Sequence, residues 1–267
     1  MKLVVLGSAA AEAVPNPFCR CEVCEDARES GHSRGRSAAL INDDLLIDLG
    51  PDVIGAASRS SLYLGNLETV LVTHKHEDHW LPSNLVWREP GFAPTGARAL
   101  TLYGPGDLLP TLDPYMDRLT DFAFQRVQPG DQWVTGAYRV TAIPATHAQG
   151  KIGALVYVID DGSHKVFYAT DTSSLSELAW DLLRPLGPMD LILLDATCGL
   201  LSGGSGHHGF EQFVDTRERM LGEGLLAPKT TLVAHHFSHN GGLTHQALVD
   251  RFSPYDVVVA YDGCTFV

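Results

Sequence analysis

The chain has no apolar run near the roughly 18–20 residues that span a bilayer. Its opening, Met1 to Gly7, is too short an apolar stretch for a secretory signal. A soluble, cytoplasmic protein without a membrane partner is therefore expected. Positive charge is also scarce: 19 Lys and Arg stand against 32 Asp and Glu, a formal net charge of −13. Such a surface repels long polyanions, so a small substrate is expected rather than a long nucleic acid. Cysteines number five, three of them crowded between positions 19 and 24, unlike the even, dispersed set of a disulfide framework. Internal repeats, low-complexity tracts and Pro/Ser-rich linkers are missing too, and residues 1–267 read as one domain. With 45% hydrophobic residues, that domain can bury a substantial core.

What the chain does have is the run Thr73-His74-Lys75-His76-Glu77-Asp78-His79-Trp80, which sets three imidazoles and a carboxylate within six residues. It follows Thr69 to Val72, an apolar segment suited to a buried strand, and leads into His79 to Trp87, where a helix is expected. Neutral imidazole nitrogens with a carboxylate suit zinc and similar borderline divalent ions, whereas magnesium or calcium would draw mostly oxygen. A solvated His-rich loop is the plainer reading, and the strand before the run argues against it.

Further strands are expected at Leu3–Leu6, Ala38–Ile41, Leu45–Ile47, Leu100–Tyr103, Tyr138–Ile143, Leu155–Ile159, Val166–Tyr168, Leu191–Leu194, Thr230–Val233 and Val257–Ala260. Helices are expected at Pro51–Arg59, Ser174–Leu183, Phe210–Leu221 and Thr244–Phe252. Hairpin-like strands come early and alternate with helices later. This suggests an α/β (α+β) chain with two packed sheets and helices outside, a four-layer αββα sandwich, although periodicity alone leaves a parallel sheet open. His147, Asp171 and His236 each fall just beyond an expected strand, where a scaffold can present side chains to one pocket. Cys19, Cys21 and Cys24 form a C-x-C-x-x-C loop at residues 19–24, three thiolates of a tetrahedral zinc site that lacks one ligand. His239, three residues after His236, is the candidate fourth.

In the order H-x-H-x-D-H, His, Asp, His, the chain resembles the metallo-β-lactamase superfamily. The resemblance implies a dinuclear site of two divalent cations, zinc or manganese, beside the structural zinc. His74, His76 and His147 would hold the first, Asp78, His79 and His236 the second, and Asp171 would bridge them. Asp48, in Ile47-Asp48-Leu49-Gly50, would orient these ligands, or is a turn-forming residue. The opening Gly7-Ser8-Ala9, the cysteine loop and the closing His236-Phe237-Ser238-His239 are similar to PhnP-type phosphodiesterases. PqqB-type proteins share a similar cysteine loop, and ribonuclease Z enzymes share the catalytic ligands but add a basic arm that this chain lacks.

The resemblance implies a hydrolase that cleaves a small, cyclic or nucleotide-derived phosphodiester with water activated between two metals. Asp78 and His208 would be its catalytic residues. In Gly206-His207-His208-Gly209, His208 is placed as the acid that protonates the leaving oxygen, with His207 as fallback, or the pair caps the following helix. A lactone or thioester hydrolase on the same centre, and a metal-binding PqqB-like protein without turnover, stand as alternatives; a homodimer is left open. Trp80, Trp87 and Trp133 are candidates for the pocket wall or for core packing.

Overall fold

The first half of the chain builds one sheet and the second half another. Sheet 1 holds β1 (Leu3–Gly7), β2 (Ala38–Ile41), β3 (Leu45–Ile47), β4 (Thr69–Leu71), β5 (Leu100–Gly104) and β6 (Phe122–Arg126). Sheet 2 holds β7 (Gln132–Thr135), β8 (Tyr138–Pro144), β9 (Leu155–Asp160), β10 (Lys165–Ala169), β11 (Leu191–Asp195), β12 (Thr231–His235) and β13 (Val257–Val259), after which β14 (Thr265–Phe266) returns to sheet 1. The strand orders are β14-β1-β2-β3-β4-β5-β6 and β13-β12-β11-β10-β9-β8-β7. The structure is a computed structural model and describes residues 1–148, 151–204 and 206–266.

In both sheets an antiparallel part, β1–β3 or β7–β10, gives way to a parallel part, β3–β6 or β10–β13. Parallel neighbours need crossovers, which helices supply. α1 (Glu22–Ser30), α2 (Val53–Arg59) and α3 (Leu109–Met116) lie in the first half; α4 (Glu177–Leu183), α5 (Phe210–Gly222) and α6 (His245–Phe252) lie in the second. Because the crossovers cover the outer faces, strands are apolar on both sides rather than alternating. In β1, Leu3 and Val5 join the large core cluster that includes both inner sheet faces, while Val4 and Leu6 join the cluster under α2 and α3. Burial of each such side chain is worth about 1.5–3 kcal/mol. The outer side of sheet 2 is covered by Trp180 of α4, Phe213 and Met220 of α5 and Phe252 of α6. This is the α/β sandwich of two sheets between helices that the element order suggests. No described helix is long and apolar enough to cross a membrane.

Three of the segments that differ from expectation lie in the first half of the chain. Instead of a helix from His79, the chain makes a bridge between Leu49 and Trp80, with Leu81 N–H donating to Leu49 O at 2.9 Å, and only then a 3-10 turn over Pro82–Arg88. The bridge occupies the amide that a helix would need. α1 begins right after Cys21, so Cys24 sits on a helix rather than in a loop. α3 carries Pro110 in its first turn and Pro114 inside, residues that hide a helical pattern.

Candidate metal centre

The candidate ligands gather at the carboxyl ends of the strands, the edge where open α/β sheets bind ligands. Asp48 follows β3, His74 to His79 follow β4, His147 follows β8, Asp171 follows β10 and His236 follows β12. Asp48, Asp171 and His236 take left-handed φ angles of 63°, 50° and 66°. For non-glycine residues such backbone costs about 1 kcal/mol or more, and it persists where surrounding bonds over-determine it. At Gly50 a Cβ would lie 2.0 Å from Asp78 O, so glycine lets the Asp48 turn pass against the histidine turn.

His74, His76 and His147 form one cluster. His76 Nδ1 lies 3.0 Å from His74 Nε2 and 3.2 Å from His147 Nε2. The other ring nitrogens of His147 and His74 are spoken for. His147 Nδ1 donates to Gly206 O at 3.2 Å, and His74 Nδ1 meets Thr73 Oγ1 at 2.9 Å while that hydroxyl donates to Asp48. Both Nε2 atoms thus turn bare lone pairs toward the cluster. Burial, with nearby His79 acting further on His74, holds His74 well below the usual imidazole pKa, and burial lowers His147 too. A proton on His76 Nδ1 can satisfy only one of these two lone pairs, whereas a cation among the three nitrogens meets all of them. Their spacing approaches the roughly 3.3 Å between nitrogens of a tetrahedron with bonds of about 2.0–2.1 Å.

Asp78, His79, Asp171 and His236 form the second cluster. His79 Nε2 lies 3.2 Å from Asp78 Oδ2 and 2.5 Å from Asp171 Oδ2, and His236 Nε2 lies 3.0 Å from the same Asp171 oxygen. Asp48 Oδ2 takes His79 Nδ1 at 2.6 Å and, through Oδ1, the Thr73 N–H at 2.8 Å. Burial raises the Asp171 carboxyl, but His236 and His79 outweigh it and hold the group well below the usual range; the same contest leaves Asp78 lowered. Asp171 Oδ2 is buried and receives no hydrogen bond. Its Oδ1 lies 3.5 Å from His207 Nδ1 and 3.8 Å from His147 Nδ1. A buried carboxylate that sets one orphaned oxygen against His79 and His236 and turns the other toward His147 and His207 fits a pair of divalent cations.

Cys19, Cys21, Cys24 and His239 bring ligand atoms within 4.8 Å of one another, and the cysteines are free thiols. His239 Nδ1 faces Cys21 Sγ at 3.5 Å. Burial opposes the Cys21 thiolate, yet hydrogen bonds from the Cys24 backbone and His239 lower its pKa to about 7. Burial pushes Cys24 up to about 11. Three sulfurs and one nitrogen suit zinc.

Residues 44–237 match the family model of the beta-lactamase superfamily domain. The chain belongs to the beta-lactamase superfamily. This is a fold family of metal-dependent hydrolases, and divalent cations go with the fold. No curated protein matches by sequence. Among solved structures, the chain is similar to a diphosphatase of the PhnP family, with 24% identity, a TM-score of 0.78, and 99% of this chain and 96% of that one covered. Zinc-bound PqqB from Methylobacterium extorquens gives 19% identity and a TM-score of 0.72, each chain covered in full. Human short-form tRNase Z gives 18% and 0.70, covering 100% of this chain and 99% of that one.

Within this superfamily chain the adjacent histidines divide differently from expectation. His208 is fully buried; its Nε2 meets Thr216 Oγ1 of α5 at 2.9 Å, and its N–H donates to Asp195 Oδ1 at 2.9 Å. It points into the packing under α5 and cannot reach a leaving group. His207 faces the centre instead, its ring 5.7 Å from that of His236 at an interplanar angle of 12° and 5.0 Å from that of His147. Its Nδ1 bonds Asp195 Oδ2 at 3.0 Å. Burial pulls the His207 pKa down, but this bond to Asp195 outweighs it and raises the value to about 9.

Asp195 and Thr197 lie outside the site residues expected from the sequence. Asp195 accepts the Thr197 N–H at 3.1 Å and its hydroxyl at 3.0 Å, and that oxygen meets His236 Nδ1 at 2.8 Å. The available signal was an Asp directly after an apolar strand, as at Asp48. The tryptophans stand away from the centre. Trp80 is buried and bonds Thr111, Trp133 stacks on Tyr103, and Trp87 lines a separate apolar cavity of about 230 Å³ with Leu67, Val70 and Leu85.

Proposed function

We propose that the protein is a phosphodiesterase acting on small, cyclic or nucleotide-derived phosphodiesters. The observation that carries this reading is Asp171, whose buried carboxylate meets His79 and His236 of the second cluster through Oδ2 and turns Oδ1 toward His207 and His147. His74, His76 and His147 would hold one divalent cation, Asp78, His79 and His236 the other, with Asp171 between them and zinc at the cysteine cluster. Two such cations supply a polarised phosphoryl oxygen and a water acidic enough to lose its proton near neutral pH.

The chain's own residues do the rest. Asp48 and Thr73 hold the Nδ1 protons of His79 and His74, which turns both Nε2 atoms inward. Thr197 aims His236 in the same way. His207, held by Asp195 through Nδ1, carries a second proton on Nε2 that it gives to the departing alkoxide. The net charge of −13 favours a compact substrate over a long nucleic acid. The names of two structural neighbours, a diphosphatase and a tRNase, also support chemistry at phosphorus.

The test is turnover of bis(p-nitrophenyl) phosphate, cyclic nucleotides and lactones by metal-stripped protein reloaded with zinc or manganese. Phosphodiester cleavage that returns with metal is expected. Lactone turnover without phosphodiester turnover would defeat the reading.

A further inference from the structure

The strap from His236 to Gly241 joins the second catalytic cluster to the cysteine cluster, and it is tied along its length. Phe237 N–H donates to Ser8 O and Phe237 O accepts from Ala10 N–H, both at 2.9 Å, while Ser238 N–H donates to Thr197 O at 3.3 Å. The Ser238 hydroxyl donates to Glu12 Oε1 and accepts from Asn240 N–H at 3.0 Å. Glu12 Oε1 also stands 3.8 Å from His239 Nε2, on the far side of the ring from the sulfurs. Further along, Leu200 N–H donates to Gly241 O at 2.9 Å. Gly199 has φ 51°, and a Cβ there would lie 2.4 Å from Gly241 O. Gly199 and Leu200 leave directly from Thr197, which aims His236, and run on toward His207.

We infer that Glu12, Gly199 and the cysteine cluster are positioning residues for the second catalytic cation, because they hold the strap that presents His236. His236 sits in left-handed backbone that a histidine leaves unless its surroundings enforce it. Glu12 reaches His239 only at ion-pair distance, beside the Asn16 amide 3.5 Å from Nε2, so it holds the strap chiefly through the Ser238 hydroxyl. The first cluster takes its imidazoles from the turns after β4 and β8. Among the described residues, no hydrogen bond or ring contact joins His74, His76 or His147 to the strap. It is therefore an internal control.

This inference rests on the proposed function only in taking the two clusters as cation sites. The experiment is a cadmium titration of the full chain followed by ¹¹³Cd NMR, which gives each site its own resonance, with ions per chain counted by elemental analysis. Gly199→Ala, Glu12→Ala and His239→Ala should weaken the second catalytic ion about 10- to 100-fold, the usual cost of a lost outer partner. The first ion should stay at wild-type affinity. Glu12→Gln keeps an oxygen for Ser238 and should recover most of the loss. Wild-type affinity at the second site in all three variants, or equal weakening of both catalytic ions, would overturn the inference. A wild-type chain that binds cadmium only at the cysteines would overturn the proposed function beneath it.

Discussion

Two aspartate–threonine pairs stand on opposite sheets and are built alike. Asp48 takes the Thr73 N–H, the Thr73 hydroxyl and His79 Nδ1, and that hydroxyl meets His74 Nδ1. Asp195 takes the Thr197 N–H, the Thr197 hydroxyl and His207 Nδ1, and that hydroxyl meets His236 Nδ1. They differ in what the second imidazole faces. His79 is fully buried with its Nε2 against Asp78 and Asp171, whereas the His207 side chain keeps 29% of its surface exposed. Under the proposed function the same device would aim two ligands on one sheet, and one ligand and one proton donor on the other.

Asp171 is common to both sides, and removing it has the largest expected effect. Asp171→Ala should lower phosphodiester turnover by at least about 10³-fold, the upper end of what one electrostatic group supplies. Steady-state kinetics with zinc in excess checks this. Turnover within tenfold of wild type would mean that the two sides do not share a bridge.

His207→Ala sharpens the contrast next. It should cost about 10²- to 10³-fold with a poor alkoxide leaving group and little with p-nitrophenolate, which needs no proton. Equal losses on both substrates would place His207 among the ligands and erase the difference between the pairs.

The smallest effects separate the aspartates themselves. Asp48→Asn and Asp195→Asn should each weaken metal binding about 10- to 100-fold, read by chelator competition. Only Asp195→Asn should move the pH profile. As the proposed acid His207 would donate while protonated, so activity should fall as pH rises through its pKa. That value is raised to about 9 by Asp195, and cations held nearby would press it lower. Without the carboxylate the alkaline limb should shift down toward the ordinary imidazole value near 6.5. The same raised value stabilises the fold below about pH 6.5, and that contribution is lost as pH rises through about 9. An unmoved limb in Asp195→Asn, or an equal shift in Asp48→Asn, would break the comparison.

Much of this was legible because it is local. His74, His76, Asp78 and His79 share one turn, and His147, Asp171 and His236 each follow an apolar strand. The strands announced themselves because both faces of each sheet are covered, so β1 and β11 read as unbroken apolar runs. What stayed hidden depends on contacts far along the chain. His207 and His208 are adjacent in a glycine-rich segment without periodicity, and their directions are set by Asp195, which bonds the side chain of one and the backbone of the other. Asp195 itself looks like a strand terminus until His207, twelve residues on, folds back to it. β6 and β7 are half-buried edge strands with weak alternation, and the prolines of α3 conceal a helix.

Anomalous diffraction at the zinc edge from crystals of the zinc-loaded protein tests the central claim most directly. Three peaks are expected: one among His74, His76 and His147, one among Asp78, His79 and His236 with Asp171 shared, and one among the cysteines and His239. A single peak at the cysteines, with Asp171 bound to nothing, would contradict it.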